Sequence, residues 1–501
     1  MNKNYEAICR GEQIRANLIE LKKLCKDPEV AAGLLEGEID PAVIAALLTN
    51  DDAKIRKNAA LLIGELGAQE DVDALFLAYE SETTRFVRSS YLTALKALDV
   101  SDYIDSLQTR YERLLSYDPG EEERKHVDEE RGLLQQLLAQ AGALKTHRFI
   151  GWERTCDVIF TTERALREPL KDRLEAKNKN GIRAALHPMG VMARTNELRR
   201  LARLHGYREL LYALNVKQTL TGSPQELAKA LLASNLMELF EQNHEGGAPF
   251  YFRVELRGLL QRGEKSALAK ALARALEQES GGKLQNSTTD YEVEIRLSRV
   301  KDGGFYPCVK FYTIDDLRFN WRIRTIAASM HPSLAAGLLE LARPYLAEDA
   351  VVLDAFCGVG TWMIERNLYM KTYDNYAVDI FGEAIDGAKE NAAAAGVHCN
   401  FVKKDFLAFT SKHKMTEIFA DMPTRRKREK EEWDAFYTEC FAQFERLLAP
   451  RGHLFLYADE AGFVKKNLRL RKCFVLLREA EIHPKEGDAL MFSAIVIGRN
   501  V

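Results

Sequence analysis

Four aspartates in the last third of the chain each follow a short apolar segment. They are Asp354, Asp379, Asp405 and Asp421. The apolar segments have the length and composition of parallel strands that are buried on both faces. Parallel sheets bind ligands at the carboxyl ends of their strands, and a carboxylate buried there needs a partner. The series therefore predicts a ligand site at one edge of a sheet.

The first of these aspartates opens a glycine-containing turn, DAFCGVGTWMIE, at residues 354–365. Gly358 and Gly360 let the backbone approach a ligand without a Cβ in the way, and Phe356 lies in the same turn. Thr361 begins a predicted helix whose free N–H groups face the same crevice. A GxG turn is common after a strand, but the aspartates that follow make this one a predicted cofactor-binding loop.

The elements that position these residues alternate between strands and helices from residue 326 onward. The alternation predicts an α/β, Rossmann-like domain at residues 326–501. Its seven-stranded sheet is expected to end in an antiparallel pair at 474–482 and 490–497. A nicotinamide-binding domain is a competing interpretation, but it would need a third glycine where this chain has Met363, and it would lack the terminal pair.

The arrangement resembles that of class I S-adenosylmethionine methyltransferases. The resemblance implies S-adenosylmethionine as the cofactor and requires no metal. It implies that the loop from Asp354 to Thr361 holds the methionine end of the cofactor. Asp379 would bind the ribose hydroxyls, and Asp405 would accept a hydrogen bond from the adenine amino group.

A closer resemblance is to THUMP-containing RNA methyltransferases, which combine HP-x-LA with DPxCGxGTxxIE. This chain has SMHPSLAAGLLELA ahead of DAFCGVGTWMIE, with Ala355 in place of the proline. The guanosine-N2 members carry acid-x-Pro-Phe-Gly after the fourth strand. Asp421 and Pro423 match that motif, whereas Thr424 and Arg425 replace the aromatic residue and the glycine.

This resemblance implies methyl transfer to the exocyclic amine of a guanosine in tRNA or rRNA, with Asp421 and Pro423 as catalytic residues. An exocyclic amine is a poor nucleophile, so hydrogen-bond acceptors that orient its lone pair would contribute by positioning and electrostatics. Thr424 keeps an alternative open, in which a catalytically degenerate protein binds cofactor and RNA as an assembly factor. A protein or small-molecule methyltransferase is a second alternative.

Charge divides the chain into three parts. Residues 146–325 carry 30 basic and 22 acidic side chains, a net charge of +8, between segments of −9 (1–145) and −2 (326–501). A positive segment attracts nucleic acid by counterion release, although a solvated surface would look the same. Alternating segments around a helix at 250–312, with the stretches FRVELRG and TTDYEVEIRL, make residues 146–325 resemble a THUMP domain, an α+β RNA-binding unit. Arg194, Arg199, Arg200, Arg203 and Arg208 are expected to cluster on one helix.

Residues 1–145 contain a repeat of amphipathic helices. Ile55–Ala59 recurs as Val87–Tyr91, 32 residues later, and the apolar positions travel with it. Helix pairs at this period resemble HEAT-like repeats, which stack because none buries its apolar face alone. The acidic balance favours a protein partner on this domain, and a purely structural cap is the alternative.

The scattered cysteines, without a CxxC pair, argue against a disulfide framework and against a structural zinc site. There is no apolar run long enough to span a membrane and no secretory signal pattern at the amino terminus. A cytoplasmic location is therefore expected.

Overall fold

The structure is a computed structural model that describes residues 2–115, 117, 119–141, 147–177, 183–258, 262–327, 329–425, 429–482 and 492–499. The chain divides into two units, Met1–His147 with Gly247–Arg253 and Ala273–Glu292, and Arg148–Gly246 with Val254–Leu272 and Val293–Val501. The three domains expected from the sequence stay a prediction, and the boundary at residue 145 lies outside the described residues.

The amino-terminal part is helical, as its repeat predicts. Asp40 caps a helix by accepting a hydrogen bond from the N–H of Ala42, and Pro41 stands at the first helical position. The helices are α1 (Lys3–Cys9), α2 (Ile14–Leu24), α3 (Pro28–Gly37), α4 (Pro41–Ala46), α5 (Ala53–Leu66), α6 (Val72–Ser81), α7 (Arg85–Leu95), α8 (Ile104–Leu115) and α9 (Glu121–Gln140).

The repeated helices α5 and α7 pack directly on each other. A Cβ on Gly64 would lie 2.6 Å from the Cα of Ala94, so only glycine permits this approach. The arginines that open the two repeats both reach Glu82. Arg56 forms a bidentate pair with its carboxylate at 2.8 Å, and Arg88 donates to its backbone carbonyl. The two repeats are therefore joined by an apolar contact between α5 and α7 and by hydrogen bonds from both arginines to Glu82.

The middle part mixes short helices with strands. Its elements are β1 (Arg148–Phe149), β2 (Cys156–Thr161), α10 (Arg167–Lys177), β3 (Ala184–His187), β4 (Gly190–Thr195), α11 (Leu198–Leu201), β5 (Leu210–Ala213), α12 (Pro224–Leu232), α13 (Leu236–Asn243), β6 (His244–Glu245), β7 (Phe250–Arg257), α14 (Arg262–Glu279), β8 (Leu284–Asn286), β9 (Val293–Arg299) and β10 (Phe305–Phe311). Eight of the strands form one sheet of order β3-β4-β2-β5-β10-β9-β7-β8. A two-residue pair, β1 with β6, stands apart from that sheet.

The arginine cluster expected on one helix is distributed over three elements. Arg194 lies in β4, α11 ends at Leu201, and Arg208 lies in the loop before β5. The helix is short because Glu197, its N-cap, is followed by only four helical residues before the chain turns at Ala202. One further arginine of the basic segment, Arg296, is buried and paired with carboxylates, so it is unavailable to a nucleic acid.

The carboxyl-terminal part alternates between helices and the strands of a second large sheet. Its elements are α15 (Pro332–Ala342), β11 (Ala350–Asp354), α16 (Thr361–Tyr369), β12 (Thr372–Asp379), α17 (Gly382–Ala395), β13 (Asn400–Lys403), β14 (Met415–Asp421), α18 (Lys430–Leu447), β15 (Leu448–Ala458), α19 (Ala461–Leu470), β16 (Phe474–Ile482) and β17 (Phe492–Arg499). The seven strands have the order β13-β12-β11-β14-β15-β17-β16. The strands from β13 to β15 are parallel, and β17 is antiparallel to both of its neighbours. The predicted start of the last strand, at residues 490 and 491, lies outside the described residues.

No described helix has the length and apolar character that crossing a membrane requires.

A buried ion pair ties α16 to β14. Arg366 and Glu417 have side-chain exposures of 0 % and 1 %, and two guanidinium nitrogens reach the carboxylate at 2.7 and 3.0 Å. Arg366 also donates to the carbonyls of Met370 and Ala347, and Glu417 accepts from the N–H of Ala347. Because both charged groups are hydrogen-bonded, the core tolerates the pair. Removal of one partner would leave the other as an unpaired buried charge.

We expect Glu417→Gln to lower the free energy of unfolding by about 3–5 kcal/mol, since Arg366 would be left as an uncompensated buried charge. The matched control is Glu390→Gln, which breaks an exposed pair with Arg324 at 3.6 Å and should cost less than about 1 kcal/mol. Urea unfolding followed by circular dichroism measures both. Equal effects from the two substitutions would contradict the structural role of Arg366.

Candidate functional site

The glycine turn after β11 is held in place by the neighbouring strand β12. Gly358 has φ +52° and Gly360 has φ +82°, both in the left-handed region that glycine adopts without strain. The N–H of Gly358 donates to the Asp379 carboxylate at 2.9 Å, and the N–H of Cys357 donates to the carbonyl of Val378 at 3.0 Å. The end of β12 therefore fixes the shape of the loop that precedes α16.

A cavity of about 360 Å³ opens at this edge of the sheet. It contains seven of the nine residues that the sequence predicts as site residues: Asp354, Phe356, Gly358, Thr361, Asp379, Asp421 and Pro423. The remaining lining residues are Ile326, Ser329, Met330, Cys357, Val359, Trp362, Phe381, Met422, Thr424, Arg425 and Trp433. The predicted cofactor residues and the predicted acceptor residues thus share one cavity.

The floor of the cavity carries buried polar atoms that lack partners. Within the described part of the chain, Oδ1 of Asp354, Oγ1 of Thr361 and Nε1 of Trp362 make no hydrogen bond. Asp354 is only 1 % exposed. Burial raises the pKa of Asp354 to about 8, with the charge of Asp421 adding to the shift and the N–H groups of Phe356 and Met363 opposing it. A carboxyl oxygen, a hydroxyl and an indole N–H left unsatisfied beside a glycine turn fit a polar ligand with both donors and acceptors.

Asp421 lies at the end of β14. In the sheet, β14 and β12 flank β11 on opposite sides, and β12 is the strand that contacts the glycine turn. Desolvation, with the neighbouring charge of Asp459, raises the pKa of Asp421 to about 7. The loop that follows is anchored at its start, because the N–H of Met422 donates to the carbonyl of Tyr457 at 2.8 Å. Pro423 has no N–H, so its backbone can only accept hydrogen bonds.

Two predicted site residues have mainly local contacts. Gly360 caps α16, and a Cβ there would lie 3.3 Å from the Cβ of Ala388, so this glycine serves helix packing. Asp405 is exposed and accepts from the N–H of Leu407 at 2.9 Å, which caps a short 3-10 turn. Its role toward an adenine amino group stays a prediction.

The sequence did not single out several residues that line the cavity. Phe381 is 70 % exposed and lines the cavity together with Asp379, the predicted ribose residue, whose carboxylate accepts from the N–H of Phe381 at 2.9 Å. Trp433 comes from α18, and Ser329 and Met330 come from the segment before α15. For the first of these, the available signal was a phenylalanine two residues after a strand-end aspartate. The others depend on how distant segments fold onto the sheet.

Among the described residues, there is no cluster of three or more histidine, cysteine, aspartate or glutamate side chains suited to hold a metal ion.

A family model, UPF0020 (RMKL-like, methyltransferase domain), matches residues 320–480. These residues form a methyltransferase domain. The matched range contains every predicted site residue and both sides of the cavity. The match confirms the predicted S-adenosylmethionine cofactor and the class I methyltransferase interpretation of this domain.

Solved structures share this fold. TrmN from Thermus thermophilus is 22 % identical with a TM-score of 0.53, over 68 % of this chain and 99 % of that one. SMU.472, solved as a complex with SAH, is 14 % identical with a TM-score of 0.51, over 68 % and 97 %. A "predicted N6-adenine-specific DNA methylase" from Listeria monocytogenes is 14 % identical with a TM-score of 0.52, over 68 % and 96 %. At these identities the likeness shows the fold alone. No curated protein matches the chain in sequence.

We expect Asp379→Ala to weaken S-adenosylmethionine binding by roughly tenfold or more, about 1.4 kcal/mol. The substitution removes the predicted ribose acceptor and also the carboxylate that holds the N–H groups of Gly358 and Phe381. Asp386→Ala, at an exposed acid on α17 whose one ion pair among the described residues is with Lys389, is the control and should bind normally. Calorimetric titration measures both, and an unchanged affinity for Asp379→Ala would remove Asp379 from the cofactor site.

Proposed function

We propose that the chain is an S-adenosylmethionine-dependent RNA methyltransferase that acts on the exocyclic amine of a guanosine in tRNA or rRNA. The observation that carries the proposal is that Asp421 and Pro423 line the same cavity as Asp354, Gly358 and Asp379. Asp354, Gly358 and Asp379 would hold the methyl donor. Asp421 and Pro423 would hold the target amine in the same cavity. Transfer by direct displacement requires that proximity.

The cofactor, when bound, supplies a methyl group on a positively charged sulfonium. The side chain of Asp421, when ionised, accepts a hydrogen bond from the target amine and turns the nitrogen lone pair toward that methyl group. Pro423 contributes a backbone carbonyl and no competing donor. The carboxylate also stabilises the positive charge that develops on the amine as the new bond forms.

The aromatic residue missing at Thr424 has candidate replacements in the cavity. Trp433 and Phe356 both line it, and they form one aromatic group with Phe436, which stacks on Trp433 at 4.7 Å between ring centroids and lies 6.2 Å from Phe356. Base–aromatic stacking contributes about 1–3 kcal/mol per base. A base extruded into the cavity could therefore stack without an aromatic at position 424.

RNA as the substrate rests on the +8 charge of residues 146–325 and on the resemblance of that segment to a THUMP domain. The fold matches cover 68 % of this chain, so they extend beyond the methyltransferase domain at residues 320–480. We further propose that the acidic helices α1 to α9 are HEAT-like repeats that bind a protein partner, and that the protein works in the cytoplasm.

A rival function is an assembly factor that binds cofactor and RNA without transferring a methyl group. The specific observation in its favour is Thr424, which replaces the aromatic residue of the motif, together with Arg425, whose side chain pairs with Glu460 at 3.3 Å. Residues 426–428, the next part of the basic run, lie outside the described residues.

We expect Asp421→Asn to reduce methyl transfer to RNA by a factor of about 10² or more while cofactor affinity changes less than about threefold, because a neutral amide would no longer orient the amine by charge. Tritiated methyl transfer to bulk tRNA and to ribosomal RNA, followed by nucleoside identification, measures the reaction, and calorimetry measures the cofactor. Asp386→Asn, at the exposed acid on α17, is the matched control. Absence of transfer in the wild type would favour the assembly factor, and a methylated nucleoside other than N2-methylguanosine would redirect the substrate.

The rate should depend on pH through Asp421. A raised pKa of about 7 means that the accepting carboxylate is formed only as pH rises through that value. The turnover rate at saturating cofactor is therefore expected to increase through about pH 7 and then level off. Asp459→Asn removes the neighbouring negative charge and should move the midpoint to lower pH. A midpoint that stays the same in Asp459→Asn would contradict the assignment.

A further inference from the structure

The segment between β10 and α15 brings Arg322 to the wall of the cavity. Nη2 of Arg322 donates to the carbonyl of Met330 at 3.2 Å, and Met330 and Ser329 line the cavity. Ile326, from the same segment, also lines it. The guanidinium of Arg322 is thus fixed to the cavity wall by a single contact to a neutral carbonyl.

Arg322 lies in a positive environment. Burial lowers the pKa of Arg322, and the charge of Arg208 adds to the shift. Burial lowers the pKa of His331 to about 4, with the charges of Arg208, Arg322 and Arg318 contributing in that order. Like charges held together at a surface are costly unless an anion joins them.

The nearby arginines differ in their hydrogen-bond and ion-pair partners. Arg318 is 5 % exposed, pairs with Asp316 at 2.6 Å, and stacks on Tyr207 at 3.7 Å, so it has a structural role. Arg208 is exposed. Over the residues that the structure describes, neither Arg208 nor Arg322 forms an ion pair, and Nε of Arg322 is buried without a hydrogen-bond partner. Two guanidinium groups next to the cavity therefore retain unused donors.

We propose that Arg208 and Arg322 bind a backbone phosphate of the substrate nucleic acid beside the nucleotide whose base enters the cavity. The inference rests on the proposed function and specifies how the substrate is held. Guanidinium groups bind phosphate through paired N–H donors, and the exposed side chain of Arg208 makes no hydrogen bond among the described residues. Ile323, 60 % exposed next to Arg322, adds an apolar surface to the same rim.

The carboxylate of the cofactor is another anion that an arginine at this wall could hold. The two sources are distinguishable, because a phosphate contact affects RNA binding and its salt dependence, whereas a carboxylate contact affects cofactor affinity in the absence of RNA. Arg208 is the cleaner of the two test positions, since an exposed side chain can be removed without disturbing packing.

The test uses the full chain, bulk tRNA and ribosomal RNA as probes, and the variants Arg208→Ala, Arg322→Ala and Arg322→Lys. Each alanine variant is expected to weaken binding roughly threefold to tenfold at moderate salt and to reduce the slope of log affinity against log salt by about 0.7 to 0.9. Arg322→Lys should keep the salt slope and lose part of the affinity, because an ammonium lacks the fork of donors. The matched control is Arg469→Ala, an exposed arginine on α19, which should leave both quantities unchanged. Thermal melting verifies that each variant is folded.

Three results would overturn the proposal. Unchanged affinity and slope in Arg208→Ala, with normal RNA binding by the wild type, would reject the phosphate site and leave the proposed function standing. Loss of cofactor affinity in Arg322→Ala without a change in RNA binding would assign the arginine to the cofactor's carboxylate. Failure of the wild type to bind or methylate any of the RNA probes would reject the proposed function together with the site.

Discussion

A buried carboxylate with an unsatisfied oxygen is the constraint around which the methyltransferase domain is arranged. Asp354 is fully withdrawn from water, and its pKa is raised to about 8 mainly for that reason. A group in that state reduces stability at neutral pH, because its ionised form is disfavoured in the folded protein and free in the unfolded chain. The fold retains it at the end of the central strand β11, in a cavity also lined by Thr361 and Trp362. The hydroxyl of Thr361 and the indole N–H of Trp362 make no hydrogen bond within the described residues. Unsatisfied groups concentrated at one point indicate that a ligand, and not the protein, completes them.

The contrast with Arg366 and Glu417 shows what the same fold does with charges that serve structure. That pair is as deeply buried as Asp354, yet the charged groups are hydrogen-bonded to each other and to backbone groups. It joins the helix that begins at Thr361 to the strand that ends at Asp421. The ion pair therefore links α16 to β14. The α16 atoms that lack a hydrogen bond among the described residues, on Thr361 and Trp362, lie at the end of the helix that lines the cavity.

The sequence was most informative where a pattern depends on neighbouring residues. Strand-end aspartates and a glycine turn are local signals, and seven of the nine residues predicted from them line one cavity. Asp405 shows the limit of the same signal, since an aspartate after a strand can equally cap the next turn, as it does for Leu407. The arginines near residue 200 show a different limit. Their spacing suited one helix, but strand pairing in the sheet took Arg194 into β4 and left Arg208 in a loop. Contacts such as Arg322 to Met330 cannot be read from spacing, because they depend on how a loop folds back on itself.

The distribution of charge around the cavity determines how a nucleic acid can approach it. Inside are carboxylates, with Asp354, Asp379 and Asp421 all lining the wall. Arg322 contacts the carbonyl of the lining residue Met330, and neither Arg322 nor Arg208 forms an ion pair among the described residues. Asp379 and the ionised form of Asp421 would repel a phosphate from the interior, and the two arginines would attract it, whereas an uncharged base with an amino group would be accepted by the interior. The same electrostatic arrangement that would hold the backbone outside would thus select the base as the part that enters. Enzymes that modify a base in a nucleic acid require that orientation, because the reactive atom must leave the stack to reach the cofactor.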